Sequence, residues 1–269
     1  MLNFPPQRLV CLSEETVETI YLLEEEEKIV GVTGYAVRPS RVRSEKTRVS
    51  SFVSANTDKI KGLKPDLILT FSDVQADLSR ELILEGFNVI AFNQRSIVEI
   101  FAMIETLGAL LKCPAKAVRL ISTLKKTIAE TKKAIKSPKP RVYFEEWDEP
   151  LITGVSWVSE IVAFAGGVDV FSSKSNCSKA EGRVVSEQEV IDANPDIIIT
   201  SWCGKKVNFD MIKKRKGWNK INAIVNQHVF EVKSPIILQP GPAAILNGLP
   251  AVSNVISSWH KFYEKEVFP

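Results

Sequence analysis

Arg8-Leu-Val-Cys-Leu12 becomes a continuous apolar run after its first residue, and it gives way at once to Ser13-Glu-Glu-Thr16. Such a run predicts a strand covered on both faces. Ser13 stands where a helix would be capped, with Glu14 and Glu15 near the positive end of its dipole. Val17, Ile20, Tyr21 and Leu23 then fall on one helical face. Residues 28–32 return as a second strand, and a basic loop follows over residues 38–48. Strand, helix, strand and loop in this order predict a parallel α/β sheet.

The same pattern occurs twice. Residues 60–70 read Ile-Lys-Gly-Leu-Lys-Pro-Asp-Leu-Ile-Leu-Thr, and residues 190–200 read Val-Ile-Asp-Ala-Asn-Pro-Asp-Ile-Ile-Ile-Thr. Pro65, Asp66 and Thr70 thereby align with Pro195, Asp196 and Thr200. In each copy a helix should stop before Pro-Asp, and a buried strand should run up to the threonine. Phe71-Ser-Asp73 and Ser201-Trp-Cys-Gly204 open as polar-aromatic loops after these strands. The repeat predicts two similar lobes whose strand ends feed one shared cleft.

Between the copies, Pro114 suits the first turn of a helix. Ala117, Ile121, Leu124, Ile128 and Ile135 form one narrow apolar stripe, predicting a helix over residues 114–136, about 35 Å long. Five lysines fill its other faces. Ser137-Pro-Lys-Pro140 ends it, and Arg141-Val-Tyr-Phe144 opens the second lobe. The expected organisation is a first lobe over 1–112, a linking helix over 113–137 and a second lobe over 138–269. With no internal glycine or proline, that linker should behave as a rigid rod.

The chain has 269 residues, 45% hydrophobic and 25% charged, which rules out disorder and coiled coil. Its net charge of +3, from 35 basic and 32 acidic residues, gives no ground for a nucleic-acid partner. Cys11, Cys113, Cys177 and Cys203 are scattered and form no metal framework. No apolar stretch approaches the ~18–20 residues of a membrane span. The first residues carry no basic region followed by an apolar one, so the sequence as written reads as cytoplasmic, or periplasmic if a leader was trimmed.

Catalytic motifs are absent. There is no dinucleotide fingerprint or phosphate loop, and Gly154-Val-Ser-Trp-Val158 lacks the second glycine of a nucleophile elbow. His228 and His260 are far apart and read as surface residues, which argues against a bare metal site. Aromatic and polar residues gather instead at expected strand ends: Tyr35, Phe52, Phe71 and Asp73 in the first lobe, and Glu145-Glu146-Trp147, Trp157, Trp202, Cys203 and Lys205 in the second. Ligands bind open α/β sheets at the carboxyl ends of their strands, so these residues are candidates for a stacking pocket. A carboxylate at Glu146, walled by Trp147 and Trp202, would need a cationic or hydrogen-donating partner. That partner could be a ligand amide or amine, a metal, or a side chain such as Lys205 or Arg183.

The opening run, Gly31-Val-Thr-Gly-Tyr35, Leu63-Lys-Pro-Asp-Leu-Ile68, the linking helix, Ala165-Gly-Gly167, Val185-Ser186 and Asn194-Pro-Asp-Ile-Ile198 together resemble the helical-backbone substrate-binding proteins of ABC importers. The likeness runs from about residue 7 to 258 and is nearest to the cobalamin- and ferric-siderophore-binding members. It implies two Rossmann-like lobes with parallel sheets joined by one long helix, holding a bulky metal chelate with little hinge motion. Position by position, aromatics that contact cobalamin in that family fall on Tyr35, Phe52 and Phe71. A further one falls on Glu146, with Trp147 next in line. The acidic residues that dock such proteins on their permease fall on Asp58, which keeps the acid, and on Gln188, which does not.

The expectation is therefore a non-catalytic receptor for a corrinoid or ferric siderophore, with no built-in cofactor and an ABC permease as partner. The rival is a cytoplasmic chelatase or corrinoid-processing enzyme on the same fold. Glu145, Glu146, Asp73, Cys203 and Lys205 would then form its acid–base or ligand set. Two-lobed chelatases use a cleft histidine, and neither histidine here is placed for that. Binding of a bare metal ion ranks third.

Overall fold

The structure is a computed structural model and describes residues 4–267. The chain divides into two compact units, with the boundary between Thr123 and Leu124. In the first, five parallel strands lie in the order β3 (Thr47–Ser50), β2 (Ile29–Thr33), β1 (Leu9–Cys11), β4 (Leu67–Phe71) and β5 (Val89–Phe92). The chain winds outward from β1 through β2 to β3, then crosses back to β4. This reversal makes a topological switch point beside β1, where doubly wound sheets bind ligands. Both β1 and β4 are buried throughout, as runs that are apolar but for Thr70 require. Val10, Leu12 and Ile68 pack with Ile60, Leu78 and Leu82 from covering helices. Gly31 permits a close approach on β2, since a Cβ there would stand 2.8 Å from Leu63 Cδ1.

The second unit has the strand order β10 (Val229–Glu231), β9 (Ile197–Thr200), β6 (Arg141–Asp148) and β7 (Leu151–Thr153), with β8 (Val168–Asp169) also on β6. One departure from an all-parallel sheet is β7, which runs antiparallel to β6. The turn at Glu149-Pro150 folds the chain straight back, so no crossover helix intervenes. A bulge between Glu145 and Trp147 interrupts this pairing. Tyr143, Ile198, Trp202 and Trp218 share the core beneath.

The repeat is a structural joint. The helices Thr57–Leu63 and Glu187–Ala193 both end on left-handed residues, Lys64 (φ 47°) and Asn194 (φ 40°). The Asp66 carboxylate then accepts the backbone N–H groups of Gln7 and Arg8 at 2.7 and 3.1 Å. Asp196 accepts that of Arg141 at 2.9 Å. The arginines return the contact: Arg8 donates to Leu63 O at 2.6 Å, and Arg141 to Ala193 O at 2.8 Å. Each unit thus ties the start of its central strand to the end of the helix before the next strand.

Several local expectations change. The linking helix is Pro114–Lys133 rather than 114–136, and Ile135 lies past its end, where it meets Gly166. The basic loop holds a short helix, Val42–Glu45, and β3. Ser13 has extended backbone at the helix start, but its hydroxyl meets that of Thr16 at 3.0 Å instead of capping a backbone N–H. His228 and His260 are buried, not at the surface. Phe262, 34 residues away in sequence, covers the His228 ring at 4.7 Å, and Trp259 lies beside His260.

Candidate functional site

In the first unit the carboxyl ends of β2, β3, β4 and β5 carry the candidate side chains. Tyr35 and Phe52 lie edge to face with centroids 6.3 Å apart, and both are nearly half exposed. Exposed paired rings leave apolar faces open to a flat or bulky solute. Phe71 is buried, and the Arg95 guanidinium stands 5.5 Å from its centroid. Arg95 also donates to Asp73 at 2.5 Å, so Asp73 has an internal cation as partner. Ser72 has φ 55°, and this left-handed residue turns the chain sharply between Phe71 and Asp73.

Gln75 holds these loops together. Its Nε2 donates to Leu12 O at 2.9 Å and to Phe52 O at 2.8 Å, while its Oε1 accepts the Phe71 N–H at 2.9 Å. One buried amide thus joins the ends of β1 and β4 to the loop after β3. Nothing in the sequence pattern marks Gln75, because its three partners converge only on folding. Close by, Glu14 and Glu15 begin the helix Glu14–Leu22. Burial, reinforced by neighbouring carboxylates, pushes Glu14 up to about 8; burial also pushes Glu15 up to about 7.

In the second unit, alternate side chains of β6 reach different partners. Glu145 is fully buried and pairs with Arg215 at 2.5 and 3.0 Å, and it accepts the Trp202 indole N–H at 3.1 Å. Burial raises its carboxyl, with Arg215 and Trp202 pulling the other way. Glu146 pairs in the same bidentate manner with Arg183, at 2.5 and 3.1 Å. Arg183 is itself buried and also donates to Thr153 O. Of the partners open to Glu146 from sequence, the structure supplies Arg183. Asp148 pairs with Lys205 at 2.6 and 2.8 Å. The Lys205 ammonium lies 5.2 Å from the Trp147 ring centroid and 5.1 Å from that of Trp202.

Trp147, Trp202 and Lys205 are therefore brought together, and Glu146 lies on the same strand but turns to Arg183. Trp157 is set apart: it is buried in the helix Ser156–Phe164 and donates its indole N–H to Ile237 O at 2.9 Å. Cys203 is exposed on the turn before Lys205. Asp58 and Gln188 occupy the same exposed position in the first turns of the two repeat helices. Gln188 donates to Asp192 at 2.7 Å. Sequence reasoning missed Arg215 and Asp148; their placement depends on the loop after β9 and on the bulge in β6. Among the described residues no cluster of three His, Cys, Asp or Glu side chains could hold a metal ion, and no helix is long and apolar enough to cross a membrane.

Two Rossmann-like units whose strand ends carry the candidate side chains are the architecture of two-lobed solute-binding proteins. The chain belongs to the periplasmic binding protein family, whose model matches residues 9–236. That assignment makes it a binding protein and removes the enzyme alternative. It is 29% identical over 252 residues to the uncharacterized ABC transporter substrate-binding lipoprotein YvrC of Bacillus subtilis, covering 89% of this chain and 77% of the relative. It is 28% identical over 248 residues to a vitamin B12-binding protein of Vibrio cholerae, covering 90% and 86%. Among solved structures, a possible iron-binding (periplasmic solute-binding) protein of Staphylococcus epidermidis superposes with a TM-score of 0.79. That pair is 23% identical, with 94% of this chain and 98% of the other covered. At that identity the likeness speaks for the fold.

Proposed function

We propose that this chain is the receptor component of an ABC importer and captures a bulky metal chelate, a corrinoid before a ferric siderophore. The observation that carries the reading is the Tyr35–Phe52 pair, two exposed aromatic rings at the carboxyl ends of neighbouring strands in a solute-binding fold. Unpartnered aromatic surface of this kind favours a large ligand with apolar faces. The vitamin B12-binding relatives, matched over about nine-tenths of this chain, support a corrinoid. In the second unit, Trp147 and Trp202 offer further aromatic faces beneath Lys205. Asp58 and Gln188 meet the permease on an extracytoplasmic face, as the lipoprotein relative's name supports.

The test is titration with cobalamin, cobinamide and a ferric hydroxamate, followed by tryptophan fluorescence and by the visible bands of the chelates. Each aromatic contact contributes about 0.5–1.5 kcal/mol beyond area burial. Tyr35→Ala with Phe52→Ala should therefore weaken corrinoid binding about 5- to 150-fold while the melting temperature holds. Unchanged affinity in the double variant would remove these rings from the site. Saturation by the hydroxamate alone would reverse the order of ligands.

A further inference from the structure

Three carboxylates near the end of β6 each hold a cation, but the three pairs are not alike. Arg215 and Arg183 have side chains only 8% and 5% exposed, whereas Lys205 is 45% exposed over an Asp148 carboxylate that is 3% exposed. The carboxylate is built into the protein, and the cation above it is the removable part. Its surroundings are also built. Trp147 is fixed by its indole N–H on Glu149 O at 3.0 Å. Trp202 is fixed by its N–H on Glu145, which Arg215 clamps in turn. With both N–H groups tied back, the indoles present their rings to the ammonium at 5.2 and 5.1 Å. Two indoles and a carboxylate around one ammonium form a cation cage, the geometry in which cation–π attraction and charge act together. An ion pair alone would need no such walls.

We propose that Trp147, Trp202 and Asp148 form a subsite for an alkylammonium group of the transported solute, and that Lys205 fills it until that group arrives. Lys205 is suited to this because its ammonium sits on a flexible four-carbon stem. It also rises from an exposed turn in which Gly204 takes φ 69°. The exchange makes and breaks no covalent bond: one cation leaves Asp148 for solvent as another enters, and the charge of the cage is unchanged. Solutes with a primary amine are then favoured over their neutral N-acetyl forms. The inference rests on the reading that the ends of β6 and β9 face the solute.

The probe is n-propylammonium chloride, which replaces the atoms lost in Lys205→Ala. In that variant it should change tryptophan fluorescence saturably and raise the melting temperature, beyond the effect of sodium chloride at equal ionic strength. The wild type should saturate as well, at roughly tenfold higher concentration, because Lys205 competes. Adding Asp148→Asn to Lys205→Ala should abolish saturation. Adding Trp147→Ala should weaken it about 2- to 30-fold, the range of a cation–π contact of ~0.5–2 kcal/mol. Lys205→Met keeps most of the stem and serves if the alanine variant does not fold. A response no different from sodium chloride, or one that survives Asp148→Asn, would overturn the cage. Saturation in the variant with none in the wild type would overturn the displacement and make Lys205 a permanent plug. The probe contains no chelate, so failure here leaves the chelate titration untouched, and failure there leaves this result standing.

Discussion

Glu14 and Glu15 act against stability where they stand. Glu14 Oε2 and Glu15 Oε1 are buried without a hydrogen-bond partner among the described residues, beside the switch point at β1. Burial, then neighbouring carboxylates, raises Glu14 from 4.5 to about 8, and burial raises Glu15 to about 7. A carboxyl raised in the folded state holds its proton more tightly there than in the unfolded chain. Its contribution is thus complete below about pH 4.5 and lost as pH rises through 7 and 8. Glu14→Gln and Glu15→Gln should each raise the melting temperature at pH 9 by a few degrees, or about 1 kcal/mol at this size. At pH 4 they should change little. A gain independent of pH would assign the effect to packing instead. Destabilising groups kept at the carboxyl end of a sheet, the end where open α/β folds bind ligands, fit the usual compromise between stability and function.

The strand–helix joint is the element most legible in the sequence, because everything it needs is local: a left-handed residue, a proline, an aspartate and a buried strand. Arg8 and Arg141 were not legible as its other half. They lie 133 residues apart rather than 130, and they meet the joint only across the sheet. Side-chain direction was legible only as alternation. That rule puts Glu145 and Glu146 on opposite sides of β6, but Arg215 and Arg183 come from distant segments. Trp157 and Trp202 read from sequence as candidates for a stacking pocket, and contacts far along the chain bury both. The duplicated joint can be tested locally. Asp196→Ala removes an acceptor from the Arg141 N–H and should destabilise the second unit by about 1–3 kcal/mol. Hydrogen exchange should then accelerate in β6 and β9 while β1 and β4 keep their protection. Asp66→Ala should give the reverse pattern. Uniform acceleration in either variant would mean that the joint is not a feature of its own unit.

Across the whole molecule, buried ionisable groups pull stability in both directions with pH, and the second unit holds both kinds, since burial raises Glu145 and Asp169 there. Glu14 and Glu15 favour acid in the first. In the second, His228 and His260 are held neutral, their pKa lowered mainly by burial. A histidine lowered in the folded state contributes fully above the unfolded value near 6.5, and that contribution is lost as pH falls through the folded value. His228 lies against Phe262 and His260 belongs to the same terminal helix, Leu249–Val267, so protonation of either loosens that helix. Lowering the pH from 7.5 to 5 should therefore strengthen the first unit, while in the second the two histidines loosen the terminal helix against an opposing gain at Glu145 and Asp169. Calorimetric melting at pH 5 should begin with the terminal helix and β10, read by hydrogen exchange of their amides, before the first unit opens. His228→Phe keeps an apolar ring between Phe230 and Phe262 and removes one titration. It should flatten the fall in the second unit's melting temperature over this range by a few degrees while leaving the pH 7.5 value nearly unchanged. An acid limb of the same steepness in that variant would place the acid sensitivity elsewhere than His228.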